Sequence, residues 1–386
     1  VQYFDHNATT PLDPRVRDAM LPWLGGLHGN PSSSHHFGRE ARRAVETARG
    51  QVAALLGAAA EEIVFTSSGT EANNAVVYGA AGVYGRRGDA PRHLAFSTLE
   101  HPSIVRAAAR VADLGVEHTE IPPAADGAVT VEAVSEALRD DTRLACLMLA
   151  NNELGTIQPV AEVAAVCRRR GVPLLCDAVQ AIGKIPVDVG ELGADYLTLG
   201  GHKFHAPTGI AALWIRDGAE LPPLLVGGSQ ESGRRASTEN LPAVVGLGVA
   251  AELAAAELEE RHRKLRELRD AFEEGLGAIP GASVHCQGSA RLPNTTHVAF
   301  AGVSGHQLML ALDRRGIAVS TGSACHSGRP QPSPVLLAMG VAESEALASL
   351  RISFGLTNTR DEVAALLRAL ASEVARPRPE DIEAKS

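Results

Sequence analysis

The chain has 386 residues, 45% of them hydrophobic and 21% charged, which is enough to bury a large core and to form more than one domain. A formal charge of −9 excludes the clustered Lys and Arg excess that nucleic acid or an acidic lipid surface requires, and no run approaches the ~20 apolar residues of a membrane span. Five scattered cysteines without a C-x-x-C pair argue against a disulfide framework or a zinc site and for a reducing compartment, the cytoplasm by default, with no metal expected.

The chain begins at Val1 rather than at Met, which leaves room for a few preceding residues, and its start lacks the basic-then-apolar pattern of an export signal. Short apolar runs then alternate with helical stretches to about residue 250, the pattern of an α/β domain with a mostly parallel sheet. Strands are expected at Glu62 to Thr66, His93 to Ser97, Leu144 to Ala150, Pro173 to Asp177, Tyr196 to Leu199 and Ala211 to Ile215. Their continuous apolar character is that of strands covered on both faces. From Gly246 to Leu276 the sequence is rich in Ala, Glu, Leu and Arg and free of Pro, as one long amphipathic helix would be. A strand-like HVAFA at residues 297–301, a helical stretch, a Gly/Ser-rich segment and a final helix after Thr359 suggest a smaller α+β unit. The last ten or so residues have the composition of a disordered tail. The expected division is a large domain over residues 13–250 and a small domain from residues 1–12 and 251–386.

Several candidate site residues follow strand ends, where open α/β sheets bind ligands. Thr66-Ser67-Ser68-Gly69-Thr70 runs from a strand into a helix, so that backbone N–H groups and hydroxyls can cradle a phosphate; taken alone it is an ordinary N-cap. Asp177 ends an apolar strand and could keep a pyridine nitrogen protonated, or simply cap the next helix. Lys203 follows the strand ending at Leu199 and could form an imine with a cofactor aldehyde, although most lysines are surface groups. His101 also follows a strand and could lie against an aromatic ring. The phosphate cradle, Asp177 and Lys203 are individually weak signals, and because the three need one shared cleft they reinforce one another. Arg351 sits in an apolar β-like stretch and needs a carboxylate, from an amino-acid substrate or from a structural ion pair. Cys325 stands in TGSACHSG without apolar bulk, the setting of a displayed nucleophile, whereas Cys146, Cys167 and Cys176 lie in apolar or helical runs and read as core. Cys286 is expected to be inert.

The ordered motifs FDHNATTPLDP, GNPSS, FTSSGTEANN, EHPS, LANNELGTIQPV, CDAVQAIGK, GHKF, STEN, LPNT, TGSACHSG, PSPVLLAMG and LRISFG cover nearly the whole chain. Together they resemble the cysteine desulfurase and selenocysteine lyase group of the class V aminotransferase family. The resemblance implies the pyridoxal 5'-phosphate (PLP)-dependent transferase fold type I, with a seven-stranded, mostly parallel sheet in the large domain. It implies Lys203 as the Schiff-base lysine, Asp177 on the pyridinium nitrogen, Gln180 on the ring hydroxyl, and His101 stacked on the ring and moving protons. Gly69, Thr70 and His202 would hold the phosphate, with Thr238 supplied by a second subunit of a homodimer. Asn152 would contact cofactor or substrate, and Arg351 with Asn30 the substrate carboxylate. Many desulfurases carry Ser where this chain has Gly200, so that phosphate contact would fall to backbone N–H groups. The implied activity removes sulfur from L-cysteine to give L-alanine and a persulfide on Cys325 for an acceptor protein. The alternative substrate is L-selenocysteine, because GHKF, LANNE and CHSG with QPSPVLL look closer to the selenocysteine lyase branch.

Overall fold

The computed structural model describes residues 1–83, 93–322 and 331–376, and it divides into two compact units. The larger unit comprises Thr9–Asn151 and Thr156–Glu259, and the smaller comprises Val1–Ala8, Asn152–Gly155 and the chain from Glu260 on.

The larger unit is built on a seven-stranded sheet in the order Ile63–Thr66, Ala211–Ile215, Tyr196–Gly200, Leu174–Asp177, Thr142–Cys146, His93–Ser97, Glu117–Ile121. Every pairing is parallel except the two made by Ala211–Ile215, which runs against both neighbours. This is the mostly parallel sheet of seven strands that the motifs implied. Five of the strands are buried at every position, which explains their unbroken apolar runs. Side chains such as Val76, Leu94, Phe96, Ile104, Leu144 and Leu175 pack into one core, each worth about 1.5–3 kcal/mol in removed apolar surface.

The structure differs from the sequence expectations at three places. The strand Glu117–Ile121 has the sequence EHTEI and a largely exposed edge, so the continuous-apolar criterion passed over it. The strand expected from Leu144 to Ala150 is Thr142–Cys146, and the chain beyond it turns toward a bridge between Ala150 and Ile157. The single helix expected across residues 246–276 is two helices, Leu241–Ala256 and Leu258–Leu276. The break falls at Glu257, where neither Pro nor Gly marks it; Arg15 grips the Glu257 carboxylate with both of its terminal nitrogens.

The smaller unit packs Ala282–Val284, Thr295–Phe300 and Ser349–Ser353 into an antiparallel sheet, with Gln2–Tyr3 paired in parallel to Ile317–Ala318. Phe4, Phe272, Phe300, Leu350 and Phe354 are in its core. The final helix Arg360–Val374 starts with a capping box in which Thr359 and Glu362 satisfy each other's backbone N–H groups. Among the described residues no single helix is long and apolar enough to cross a membrane.

Candidate active site

The strands ending at Thr66, Ser97, Asp177 and Gly200 point the same way, so the residues after them share one edge of the sheet. Asp177 is buried at that edge, 5% exposed, and its two oxygens are separately held. Oδ2 accepts from Asn73 Nδ2 at 2.7 Å and Oδ1 accepts from the backbone N–H of Val179 at 3.0 Å. Two such donors fix the direction of the carboxyl group.

The second N–H of the Asn73 amide donates to Ser103 Oγ at 2.9 Å. Ser103 in turn gives both its hydroxyl, at 2.8 Å, and its backbone N–H, at 3.1 Å, to Nδ1 of His101, which caps the helix Pro102–Ala112. An Nδ1 that accepts two donors leaves the proton of the neutral ring on Nε2. Desolvation lowers the His101 pKa; Asp177 works against that shift and Lys203 adds to it. His101 therefore senses both Asp177 and Lys203 electrostatically.

Lys203 closes a short turn, Gly201–Lys203, directly after the strand Tyr196–Gly200, and is half-buried. Beside it, His202 Nδ1 lies 3.1 Å from Thr9 Oγ1, and desolvation followed by Lys203 lowers its pKa to about 4. The strand neighbour of Asp177, Thr198, buries a hydroxyl oxygen with no partner among the described residues. Gln180 is also buried, and its Oε1 accepts from Lys184 Nζ at 2.9 Å.

The helix Gly69–Ala80 begins at this edge with Ser68 as N-cap, whose hydroxyl takes the N–H of Glu71 at 3.1 Å. Among the described residues the N–H groups of Gly69 and Thr70 have no acceptor, as a helix N-terminus poised for an anion requires. A Cβ at Gly69 would meet Val179 Cγ2 at 3.0 Å, and one at Gly200 would meet Val179 Cγ1 at 3.3 Å. The Ser found in many desulfurases at the second position would thus need Val179 to give way. A pyridine phosphate fits these residues: a held carboxylate for its nitrogen, open N–H groups for its phosphate, and a lysine and a histidine at the same edge.

Sequence reading did not find Asn73, Ser103, Lys184 or Glu100. Glu100 is buried, accepts the Met148 N–H on Oε1 at 2.7 Å, and leaves Oε2 without a partner among the described residues. Burial first, and Asp177 second, push its pKa well above the usual carboxylate range.

The remaining expected residues are each described within their own unit. In the smaller unit, Arg351 Nη2 donates to Asp5 at 2.6 Å and Nη1 to the carbonyl of Asn152 at 3.1 Å, while its Nε is buried without a partner among the described residues. Asn30 is exposed in the larger unit and uses its side chain in a local turn to the N–H of Ser32. Thr238 is exposed in the segment after Ser237, whose φ is +99°. Cys325 lies outside the described residues. Cys146, Cys167 and Cys176 are buried, and burial raises all three thiol pKa values, that of Cys167 to about 12, so none of them is a ready nucleophile. Cys286 is half-buried, with a φ of +55°.

A family model described as aminotransferase class-V matches residues 2–366. A cysteine desulfurase IscS of Methanosarcina thermophila is 43% identical over 97% of this chain and 92% of its own. One from Dictyoglomus turgidum is 43% identical over 94% and 91%. Among solved structures, a NifS-like protein superimposes with a TM-score of 0.90 at 35% identity, covering 97% of this chain and 99% of its own. The structure described as SspA in complex with cysteine gives 0.82 at 33% identity, over 93% and 100%.

Proposed function

The chain belongs to the class-V aminotransferase family, and from that premise we propose that it is an L-cysteine desulfurase that uses PLP and passes the sulfur to Cys325. The observation that carries this reading is the convergence on one sheet edge of Lys203, the doubly held Asp177 and the open N–H groups of Gly69 and Thr70. The names of the relatives, cysteine desulfurases, favour cysteine over selenocysteine and weigh against the lyase-like features of GHKF and CHSG.

Lys203 would hold the cofactor covalently, with Asp177 serving the ring nitrogen, Gln180 the ring hydroxyl and His101 the ring face. Gly69, Thr70 and His202 would hold the phosphate, together with the backbone at Gly200 and Thr238 from the second subunit of a homodimer. Bound there, PLP supplies an electron sink for the carbon skeleton of the substrate. Arg351, with Asn30 and Asn152, orients the amino acid by its carboxylate. Lys203 removes the Cα proton and His101, with its proton on Nε2, assists the transfers. The thiolate of Cys325 attacks the substrate sulfur: a sulfur–sulfur bond forms, the carbon–sulfur bond breaks, and its electron pair stays with the carbon that becomes the methyl group of alanine. The persulfide then passes to an acceptor protein. The buried thiols, unpaired with one another, suit a reducing compartment such as the cytoplasm.

Two experiments test this. Borohydride reduction followed by peptide mass spectrometry should find the cofactor on Lys203; an adduct on another lysine, or a protein that binds no PLP, overturns the reading. Alanine formation from cysteine and selenocysteine should be compared with and without Cys325. Dependence on Cys325 for cysteine supports the persulfide route, and full activity without it removes that route.

A further inference from the structure

Next to the open N–H groups of Gly69 and Thr70 stands a carboxylate, where a phosphate dianion would meet repulsion. Glu71 is the third residue of the same helix, and its Oε2 accepts both the backbone N–H of Ser67, at 2.8 Å, and the Ser67 hydroxyl. The carboxylate is thereby fixed against the turn that leads into the helix. It is also paired: Arg235 donates from Nε to Oε1 at 2.8 Å and from Nη2 to Oε2 at 3.2 Å. Both side chains are largely shielded, 18% and 12% exposed, so solvent screens the pair only partly.

Arg235 is itself set in place from the other side. Glu231, four residues earlier, accepts both terminal nitrogens of Arg49, at 2.7 and 2.9 Å, and the N–H of Phe65 at 2.8 Å. Glu231 and Ser232 have φ values of +49° and +57°, a left-handed stretch that ordinary residues hold only when their surroundings impose it. The segment is therefore anchored through Glu231 to Arg49 of the helix His36–Leu56 and to the strand Ile63–Thr66, and it delivers its own arginine to the start of the helix Gly69–Ala80.

We propose that Arg235 is a charge-balancing residue for the phosphate end of the site, acting through Glu71 rather than on the phosphate itself. Glu71 organises the Ser67–Ser68 turn through hydrogen bonds. Arg235 removes the repulsion that its charge would otherwise exert on a dianion bound at Gly69 and Thr70. This rests on the reading of those N–H groups as the phosphate site and adds a residue to it.

The test measures dissociation constants of PLP, and separately of inorganic phosphate, for the full-length chain after its cofactor has been stripped, at two ionic strengths. Arg235→Met is expected to weaken both ligands about tenfold or more, with the larger loss at low salt. Glu71→Gln, whose amide oxygen can still accept from Ser67, should bind both as tightly as wild type or more tightly. The double variant should return to within about threefold of wild type. Weaker binding by Glu71→Gln, or a double variant as weak as Arg235→Met, overturns the proposal, because a purely structural salt bridge would give those results. Equal binding by wild type and Arg235→Met overturns it too. A wild-type chain that binds neither PLP nor phosphate takes down the phosphate site, and the proposal with it.

Discussion

Asn73 donates to Asp177 at 2.7 Å and to Ser103 at 2.9 Å, so one amide joins the carboxylate at the sheet edge to the serine that holds His101. Asn73 lies on the helix Gly69–Ala80, whose N-terminus carries the open N–H groups of Gly69 and Thr70, so a single element sets both the Asp177 contact and the proposed phosphate cradle. Replacing Asn73 by Ala removes one of the two donors to Asp177 and one to Ser103. A hydrogen bond to a charged group is worth about 1.5–3 kcal/mol, so kcat should fall on the order of 10- to 100-fold. The absorbance of the bound cofactor should also titrate at a different pH from wild type. Steady-state rates with a spectral pH titration check both; an unchanged titration removes Asn73 from this role.

Arg351 is held by Asp5 in the smaller unit, yet keeps a buried Nε without a partner among the described residues. On the proposed role of Arg351, a substrate carboxylate would compete with Asp5 for the guanidinium. Asp5→Asn should therefore lower the KM for cysteine. Arg351→Lys, which loses the two-pronged geometry, should raise KM about tenfold or more while the cofactor spectrum stays unchanged. Initial-rate measurements over a range of cysteine concentrations decide it, and a higher KM in Asp5→Asn contradicts the competition.

The Arg49–Glu231 pair is buried and bidentate, with Arg49 also over the Phe65 ring at 4.9 Å. Removing one partner leaves a charge buried alone. Arg49→Met should thus cost about 3–5 kcal/mol in urea unfolding, and Arg49→Met with Glu231→Leu should recover a large part of it.

His202 supplies a pH signature. Its folded pKa is lowered to about 4, chiefly by desolvation, whereas the unfolded ring titrates near the ordinary value of 6.5. Above pH 6.5 neither state holds the proton and the contribution to stability is complete. As the pH falls from 6.5 toward about 4 only the unfolded chain takes the proton, so stability is lost across that window and the loss levels off below it. The buried acids Glu100 and Glu153, whose pKa values are raised by burial, push in the opposite direction. The comparison is therefore between wild type and His202→Asn: their difference in unfolding free energy should shrink from pH 7 to pH 5. A difference independent of pH would contradict the assignment.

Much of the fold was legible because strands covered on both faces leave continuous apolar runs, as at residues 63–66 and 174–177. The strand Glu117–Ile121 was not, since an edge strand facing solvent carries Glu and His without such a run. Within the site, Asp177 stands out because it ends a strand, and Lys203 and His101 because they follow strand ends. Their supports do not: Asn73 meets Asp177 across 104 positions, and a neutral amide inside a helix carries no local signature. Arg235 and Glu71 are likewise 164 positions apart, and each alone reads as an ordinary surface charge.

The most direct measurement of the central claim is one turnover of the PLP-loaded chain with L-cysteine in the absence of an acceptor, followed by quantification of alanine and peptide mass spectrometry of Cys325. The account predicts one alanine per active subunit and one additional sulfur atom on Cys325. Alanine without sulfur on Cys325, or a keto acid in place of alanine, would contradict it.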